Sequence, residues 1–401
     1  MPNAVIVSTA RTPIGRARKG SLTQCRPDDL GVTAVRAALD KVPQLDPSSI
    51  DDIVLGCAQP AGEHGHNLAR AVAVLLGLAN VPGVTVNRFC SSSLQAIRMA
   101  GHAVQAGEGD AFVCAGVEAV SRYNFGPGDG AVSHNPLFAE AEERSKERSG
   151  GAESWEPAAG LPDIYIAMGQ TAENVRLAEK ISRSEMDEFA ALSQNRAAAS
   201  QENGVFEREI VPVTTPSGQV IGKDDCPRPG TTTEVLATLK PAFRPDGEVT
   251  AGNSCPLNDG AAAVIVMSET RAAELGITPL ARIVSSGVSG LDPEIMGLGP
   301  VEACRQALKR AGLSIGDVDL VEINEAFAAQ VIPSARHLGI PWDKLNVNGG
   351  AIALGHPFGM TGARIMTTLI NGLQSRDATI GLESMCVGGG QGMAMVIERL
   401  S

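Results

Sequence analysis

The 401-residue chain reads as a duplicated, layered α/β protein with a polar segment inserted in its first half. Three observations carry that expectation. Short β-rich runs alternate with longer helical patterns, the sequence form of α/β layering. The two ends of the chain echo each other. Between them, from about 121 to 249, lies a polar, punctuated stretch of different composition.

In chain order the strand runs are AVIVS (4–8), DIVLG (52–56), GVTVN (83–87) and AFVCAG (111–116). Between them DDLGVTAVRAALD (28–40), LARAVAVLLGL (68–78) and SLQAIRMAGHAVQAG (93–107) repeat apolar residues at helical spacing. The middle segment includes AEAEERSKERSGGAESWEP and PRPGTTTE, and one long helical pattern over 184–204 that Ser182 and Glu185 open as a capping box. Strand patterning resumes at AAAVIVMSE (261–269). The echo is threefold. DPSSIDDIVLG leads to Asn87 in VTVNRFCSSS, 35 positions after Asp52, and LSIGDVDLVEINEA leads to Asn348 in LNVNGGAIALGHP, 31 positions after Asp317. Each half then closes on a β run beside glycines, AFVCAGVEAVS and SMCVGGGQGMAMVIE. Ligands in such sheets bind beyond the carboxyl ends of the strands, where Cys90 and 349–357 both fall.

Composition narrows the functional classes. Hydrophobic content of 43% and charged content of 19% describe a globular chain, and its length implies more than one core. A net charge of −12 argues against a general nucleic-acid or anionic-membrane surface, while leaving room for local basic patches that meet a phosphorylated ligand. The eight cysteines are scattered without a CxxC pair, as in a reducing compartment. The opening MPNAVIVSTARTPIG is too briefly apolar for a secretory signal, no run approaches the ~20 apolar residues of a span, and IERLS is not a peroxisomal address. The expectation is a cytoplasmic protein.

Few residues are candidates for chemistry. Cys is among the most buried residue types, so a lone cysteine reads first as core. Cys90, in NRFCSSSLQAI, instead falls where a strand ends and a helix begins, where backbone N–H groups and the helix dipole favour a thiolate. Of six histidines, His64 and His66 form an HxH in a polar loop before a helix capped by Asn67, without a third metal ligand at matching spacing. His102, His134 and His337 read as structural or solvated. His356, in NVNGGAIALGHPFGMTGAR, is held by Pro357 at a loop-to-helix junction and suits a base that takes a thiol proton. Cys386, in SMCVGGGQG, meets three glycines whose N–H groups can serve as oxyanion donors. A nucleotide loop fails there, because GxGxxG begun at Gly388 or Gly390 would end on a methionine, and no Walker motif is present. In VEINEAFAAQ, Asn324 and Glu325 stand where a β run passes into a helix and read as caps.

Together these motifs resemble the thiolase family. The likeness runs from STARTPIG through VNRFCSSSLQA, MGQTAENV, TAGNSCPLNDGAA, MGLGP, NEAFAAQ and NVNGGAIALGHPFGMTGAR to CVGGGQGMA. It implies two βαβαβαββ halves in an α/β/α/β/α arrangement. Their expected bounds are 1–120, completed by 250–278, and 279–401, with a CoA-binding loop domain at 121–249. It also implies CoA-dependent cleavage of a 3-ketoacyl-CoA, as in fatty acid β-oxidation, by a ping-pong route. Cys90 would be the acylated nucleophile, His356 its base and Cys386 the acid or base at the acetyl carbon. One oxyanion hole would combine His356 with a water on Asn324, and the other the N–H groups of Cys90 and Gly388. The resemblance further implies CoA or substrate contacts from Arg228, Met168, Phe243, Ala251, Cys255 and Phe327. Coenzyme A enters as substrate, with no metal or organic cofactor, and a homodimer or homotetramer is expected, with no nucleic acid and no membrane insertion.

Three departures bear on specificity. Ser93 replaces a glycine frequent after the nucleophile, Cys255 replaces a serine near the pantetheine, and Ala167 stands where acetoacetyl enzymes tend to carry histidine. Ala167, with CSS after Asn87, leans toward the degradative 3-ketoacyl subgroup over a biosynthetic acetoacetyl-CoA enzyme. A decarboxylating ketoacyl synthase would not carry Cys386 in CVGGGQG. A non-catalytic acyl-CoA or lipid-binding relative would be expected to lose Cys90, His356 or Cys386, and all three are present.

Overall fold

The computed structural model describes residues 2–123, 134–151 and 154–401. Positions 124–133 and 152–153 of the predicted insertion lie outside them. The first half comprises β1 (Ala4–Arg11), β2 (Gly15–Arg16), α1 (Pro27–Asp40), β3 (Asp52–Gly56), α2 (Leu68–Leu75), β4 (Gly83–Val86), α3 (Ser92–Ala106) and β5 (Ala111–Ala119). The middle segment carries α4 (Ala139–Arg148), α5 (Met168–Ala178), α6 (Arg183–Glu202), β6 (Val213–Thr214), β7 (Val220–Ile221) and α7 (Thr233–Ala237). β8 (Asn258–Ser268) and α8 (Glu269–Glu274) follow. The remainder is β9 (Ala281–Gly290), α9 (Gly299–Ala311), β10 (Leu320–Ile323), α10 (Ala328–Leu338), α11 (Ala351–Leu354), α12 (Thr361–Ser375), β11 (Ile380–Val387) and β12 (Gln391–Arg399).

The strand order β10-β11-β12-β9-β1-β8-β5-β3-β4 repeats one pattern outward from β9 and β1, with β4 added beyond the repeat on one edge. From the middle outward in each half come two antiparallel steps and then a parallel pair: β1, β8, β5, β3 on one side and β9, β12, β11, β10 on the other. The halves meet where Val5 and Ile6 of β1 pair with Arg282 and Ala281 of β9. An aspartate marks the repeat. Asp51 Oδ2 accepts from the N–H groups of Asp110 and Ala111, and Asp319 Oδ2 accepts from those of Thr379 and Ile380. The corresponding acids are therefore Asp51 and Asp319, not the Asp52 and Asp317 that the sequence echo aligns. A register error of this kind follows from matching composition without knowing which side chain caps the strand.

Strict alternation in the central strands explains the layers. In β8, Ala261, Ala263, Ile265 and Met267 join the core beneath α1 and α2, whereas Ala262, Val264 and Val266 face α3 and α12. In β12, Met393, Met395 and Ile397 face the same central helices, and Ala394 and Val396 face the third core beneath α9 and α10. Strands buried on both faces read as unbroken apolar runs, and α3 with α12 forms the middle layer of five.

The middle segment is tied down by buried charge. Arg11 of β1, fully enclosed, donates to Asp224 Oδ1 and Oδ2 at 2.8 and 3.0 Å and to Glu209 Oε2 at 2.7 Å. The Ser182–Glu185 capping box is present and opens α6. Asn67, by contrast, does not cap α2: it lies in the left-handed region, and its Nδ2 donates to Gly83 O. Thr85 of β4 receives the Ala69 N–H instead, so a strand neighbour supplies the cap.

Candidate active site

The turn that carries Cys90 is strained and braced. Phe89, directly before Cys90, has φ +43°, uncommon for a side chain of that size. Asn87 Oδ1 accepts from Phe89 N at 2.8 Å, and Ser92 Oγ accepts from Arg88 N at 2.9 Å and donates to Phe89 O at 2.7 Å. Cys90 is thus presented two residues ahead of α3, half-buried. Burial pushes its thiol up to about 12, against the pull of the Gly388 N–H and its own N–H, with Glu118 adding repulsion.

His356 is fully enclosed and chemically oriented. Its Nδ1 lies 2.6 Å from Thr361 Oγ1. That hydroxyl already donates to the Pro357 carbonyl at 2.8 Å, so it has only lone pairs left and Nδ1 must carry the proton. Nε2 is left as the basic nitrogen, 3.3 Å from Asn324 Nδ2. Burial, and secondarily the Arg364 guanidinium, lowers the imidazole to about 3, so it stays neutral and able to accept a proton. The loop that carries it is set by Asn258, whose Oδ1 accepts from His356 N at 2.9 Å. Gly355, at φ +109°, leaves room for that carboxamide, since a Cβ there would come within 2.5 Å of it.

Cys386 ends β11, fully buried. Burial raises its pKa, and the electrostatic influence of Cys90 and Cys255 raises it further, which puts three thiols in one neighbourhood. Asn324 joins through His356, and its Oδ1 is buried without a protein partner among the described residues, a group that requires a water or ligand. Gly388 joins through its N–H. Glu325 and Asn324 do not cap α10. Glu325 instead accepts from Ser193 Oγ, Asn346 Nδ2 and Ile352 N, and so fixes the loop before α11.

A cavity of about 510 Å³ runs past Cys255 and is lined by Arg228, Phe243 and Ala251, four of the contacts expected from sequence. Met168 and Phe327 do not line it. Phe327 is buried edge-on behind Phe243 with ring centroids 5.9 Å apart, and Met168 packs on the third core at the head of α5. Sequence reading missed Arg16, Arg18 and Lys19, which with Arg228 make the cavity rim cationic. The run GRARKG was the available signal. Ser93 is fully buried, and its Oγ accepts from Ala363 N at 2.9 Å, linking the two central helices. His64 accepts from Ala119 N and is held near 4 by burial. His134 and His337 pair with Glu142 and Glu179.

Glu118 left no local sequence signal either. Its buried carboxylate accepts from Ala58 N and Gln59 N of the first half and from Gly359 N, three residues after His356. Glu118→Ala is expected to orphan two buried donors, of Ala58 and Gly359, at about 1–3 kcal/mol each, and the partly buried one of Gln59. Denaturant unfolding should show several kcal/mol lost, and a loss under ~1 kcal/mol would refute the bracing role.

A duplicated five-layer α/β protein that sets a thiol, an oriented neutral imidazole and a glycine-lined strand end beside a cation-rimmed cavity has the build of a thiol-dependent acyl-transfer protein. Residues 4–270 match the thiolase N-terminal domain and 277–399 the thiolase C-terminal domain. The chain is 44% identical to the 3-ketoacyl-CoA thiolase of Bacillus subtilis, over 99% of this chain and 100% of that one. It is 44% identical to the acetyl-CoA acetyltransferase of Escherichia coli K12, over 100% of both. The crystal structure of the Bacillus anthracis acetyl-CoA acetyltransferase superposes with a TM-score of 0.86 at 39% identity, covering 100% of this chain and 99% of that one. The protein belongs to the thiolase family.

Proposed function

We propose that the protein catalyses CoA-dependent cleavage of 3-ketoacyl-CoA to acetyl-CoA and a shortened acyl-CoA, as a degradative acyltransferase of fatty acid β-oxidation. The observation that carries this reading is the gathering of the Cys90 and Cys386 thiols and the Gly388 N–H with Cys255, which lines the cavity. Cys90 Sγ attacks the 3-keto carbon while His356 Nε2 takes its proton. The C2–C3 bond breaks, Cys386 protonates C2 of the departing acetyl-CoA enolate, and the acyl group stays on Cys90. The thiol of incoming CoA gives its proton to the Cys386 thiolate and attacks the acyl carbonyl, and Cys90 leaves with the proton from His356. Charge on oxygen is met at the Cys90 and Gly388 N–H groups and at His356 with Asn324, where such donors carry much of the barrier reduction. CoA is substrate, and neither a metal nor an organic cofactor takes part.

Arg228, Arg16, Arg18 and Lys19 at the cavity rim suit the phosphates of CoA, and its apolar wall of Leu236, Leu239 and Leu257 suits the pantetheine. Arg228→Ala is expected to raise KM for CoA about three- to tenfold with kcat kept within twofold, as steady-state kinetics would read. A fall in kcat with unchanged KM would remove Arg228 from CoA binding. Among the described residues no helix is long and apolar enough to cross a membrane. A cytoplasmic homodimer or homotetramer completes the proposal, with Val74, Leu75, Val84 and Phe89 exposed on the flank of α2, β4 and the nucleophile turn.

The second reading is an acetoacetyl-CoA specialist, favoured by the acetyl-CoA acetyltransferase relative. CoA-dependent loss of 3-ketoacyl-CoA across acetoacetyl, medium and long chains decides between them. Turnover of medium and long chains supports the degradative enzyme, turnover of acetoacetyl-CoA alone supports the specialist, and none on any chain overturns both.

A further inference from the structure

We propose that the groove between α3 and β9 is a second anion site, built for a phosphate-bearing anion and separate from the cavity assigned to CoA. It encloses about 270 Å³ and is lined by Arg98, His102, Ile283, Ser286, Arg310 and Met395 among others, sharing no residue with the larger cavity. The cations converge from both halves. Arg98 and His102 stand one turn apart on α3, and Arg310 comes from the last turn of α9.

Ser286 fixes two of them, since its hydroxyl accepts from Arg98 Nε at 3.0 Å and its carbonyl from Arg310 Nη1. Among the described residues neither guanidinium makes an ion pair, and both Nη groups of Arg98 lack a protein partner. The charges that act on them are cations alone: Arg88 and Arg310 on Arg98, and Arg98 and Arg310 on His102. Burial first, and then this repulsion, lowers both pKa values.

In a chain with 45 acidic residues and a net charge of −12, two guanidinium cations and a histidine gathered with no carboxylate acting on Arg98 or His102 represent an uncompensated cost. A bound anion removes it. Guanidinium forks suit phosphate oxygens, whereas a monovalent halide would use a single donor. The volume suits inorganic phosphate, pyrophosphate or the phosphate end of a nucleotide, and the floor of Ile283 and Met395 limits competition from water.

The test uses the full chain, titrated with inorganic phosphate, pyrophosphate and ADP at ionic strength matched by chloride. Calorimetric affinity and Tm are read for the wild type, Arg98→Gln/Arg310→Gln, Arg310→Gln alone, and Arg228→Gln at the other cavity. The expected result is saturable pyrophosphate binding with a raised Tm in the wild type and Arg228→Gln. Affinity should weaken at least tenfold in the double variant and at least threefold in Arg310→Gln, which alone decides if the double variant does not fold. Binding of ADP but not pyrophosphate, kept in Arg228→Gln and weakened in Arg310→Gln, would support the site and identify its ligand as nucleotide-borne; ADP binding lost in Arg228→Gln and kept in Arg310→Gln would overturn it. Equal affinities in wild type and Arg310→Gln, or no wild-type response beyond the chloride control, would overturn the proposal. Loss of an oligomer in Arg310→Gln without any anion response would assign the cations to carboxylates of a second copy and overturn it as well.

Discussion

Cys90→Ala is expected to lower CoA-dependent cleavage by about a thousandfold or more, because the acyl-enzyme route ends when its nucleophile is removed. The fold should survive. The turn is held by Asn87 and Ser92, and no hydrogen bond that braces it uses the sulfur. Mass spectrometry after mixing with 3-ketoacyl-CoA in the absence of CoA should find an acyl adduct on the wild type and none on the variant. If Cys90→Ala kept turnover within tenfold, the nucleophile would have to be sought at Cys386 or Cys255, the neighbouring thiols.

The second large effect concerns His356. His356→Ala should cost about 10²- to 10⁴-fold in turnover, the range for a positioned general base. The pKa shifts add a sign. The thiol is pushed up to about 12 and the imidazole down to about 3, so between those values both groups rest neutral. Protonation of His356, which would abolish its basicity, occurs only as pH falls toward 3. Thiolate at Cys90 accumulates only as pH rises toward 12. Alkylation of Cys90 by iodoacetamide in the resting enzyme should therefore accelerate about tenfold per pH unit from 6 to 10, without a plateau. A plateau already reached at neutral pH would mean a standing thiolate–imidazolium pair, and His356 would no longer be the base that creates the nucleophile.

What the sequence conveyed and what it withheld divide along physical lines. Continuous patterns survived well: the runs at 4–8, 52–56 and 111–116 are strands β1, β3 and β5, because burial on both faces demands apolar residues throughout. The family resemblance supplied Cys90, His356, Cys386, Asn324 and Gly388 as expectations; in the structure a hydrogen bond joins His356 to Asn324, and Cys90 lies within the influence of the Gly388 N–H and of Cys386. Contacts across long sequence distances were invisible. Glu118 reaches Gly359 over 241 positions, and Thr85 rather than its neighbour Asn67 serves α2, since spacing says nothing about which strand lies beside a helix end. Ser93 read as a departure within the site, yet it is a buried link between helices from different halves. The basic run at 16–19 lay in plain view, but only folding brings it across the cavity from Arg228.

The mirrored strand order has a consequence for how the chain is made. Both sheet neighbours of β1 lie far downstream: Ala10 pairs with Ala263 of β8, and Ile6 with Ala281 of β9. At about 5–20 residues per second, the ribosome needs roughly ten to fifty seconds to deliver β8 after β1 has emerged. Until then AVIVSTAR, wholly buried in the finished protein, has neither strand partner. The first strand synthesised is among the last to be seated, so a nascent chain stalled before 258 holds an unpaired apolar edge, and that interval is when a holdase has most to offer.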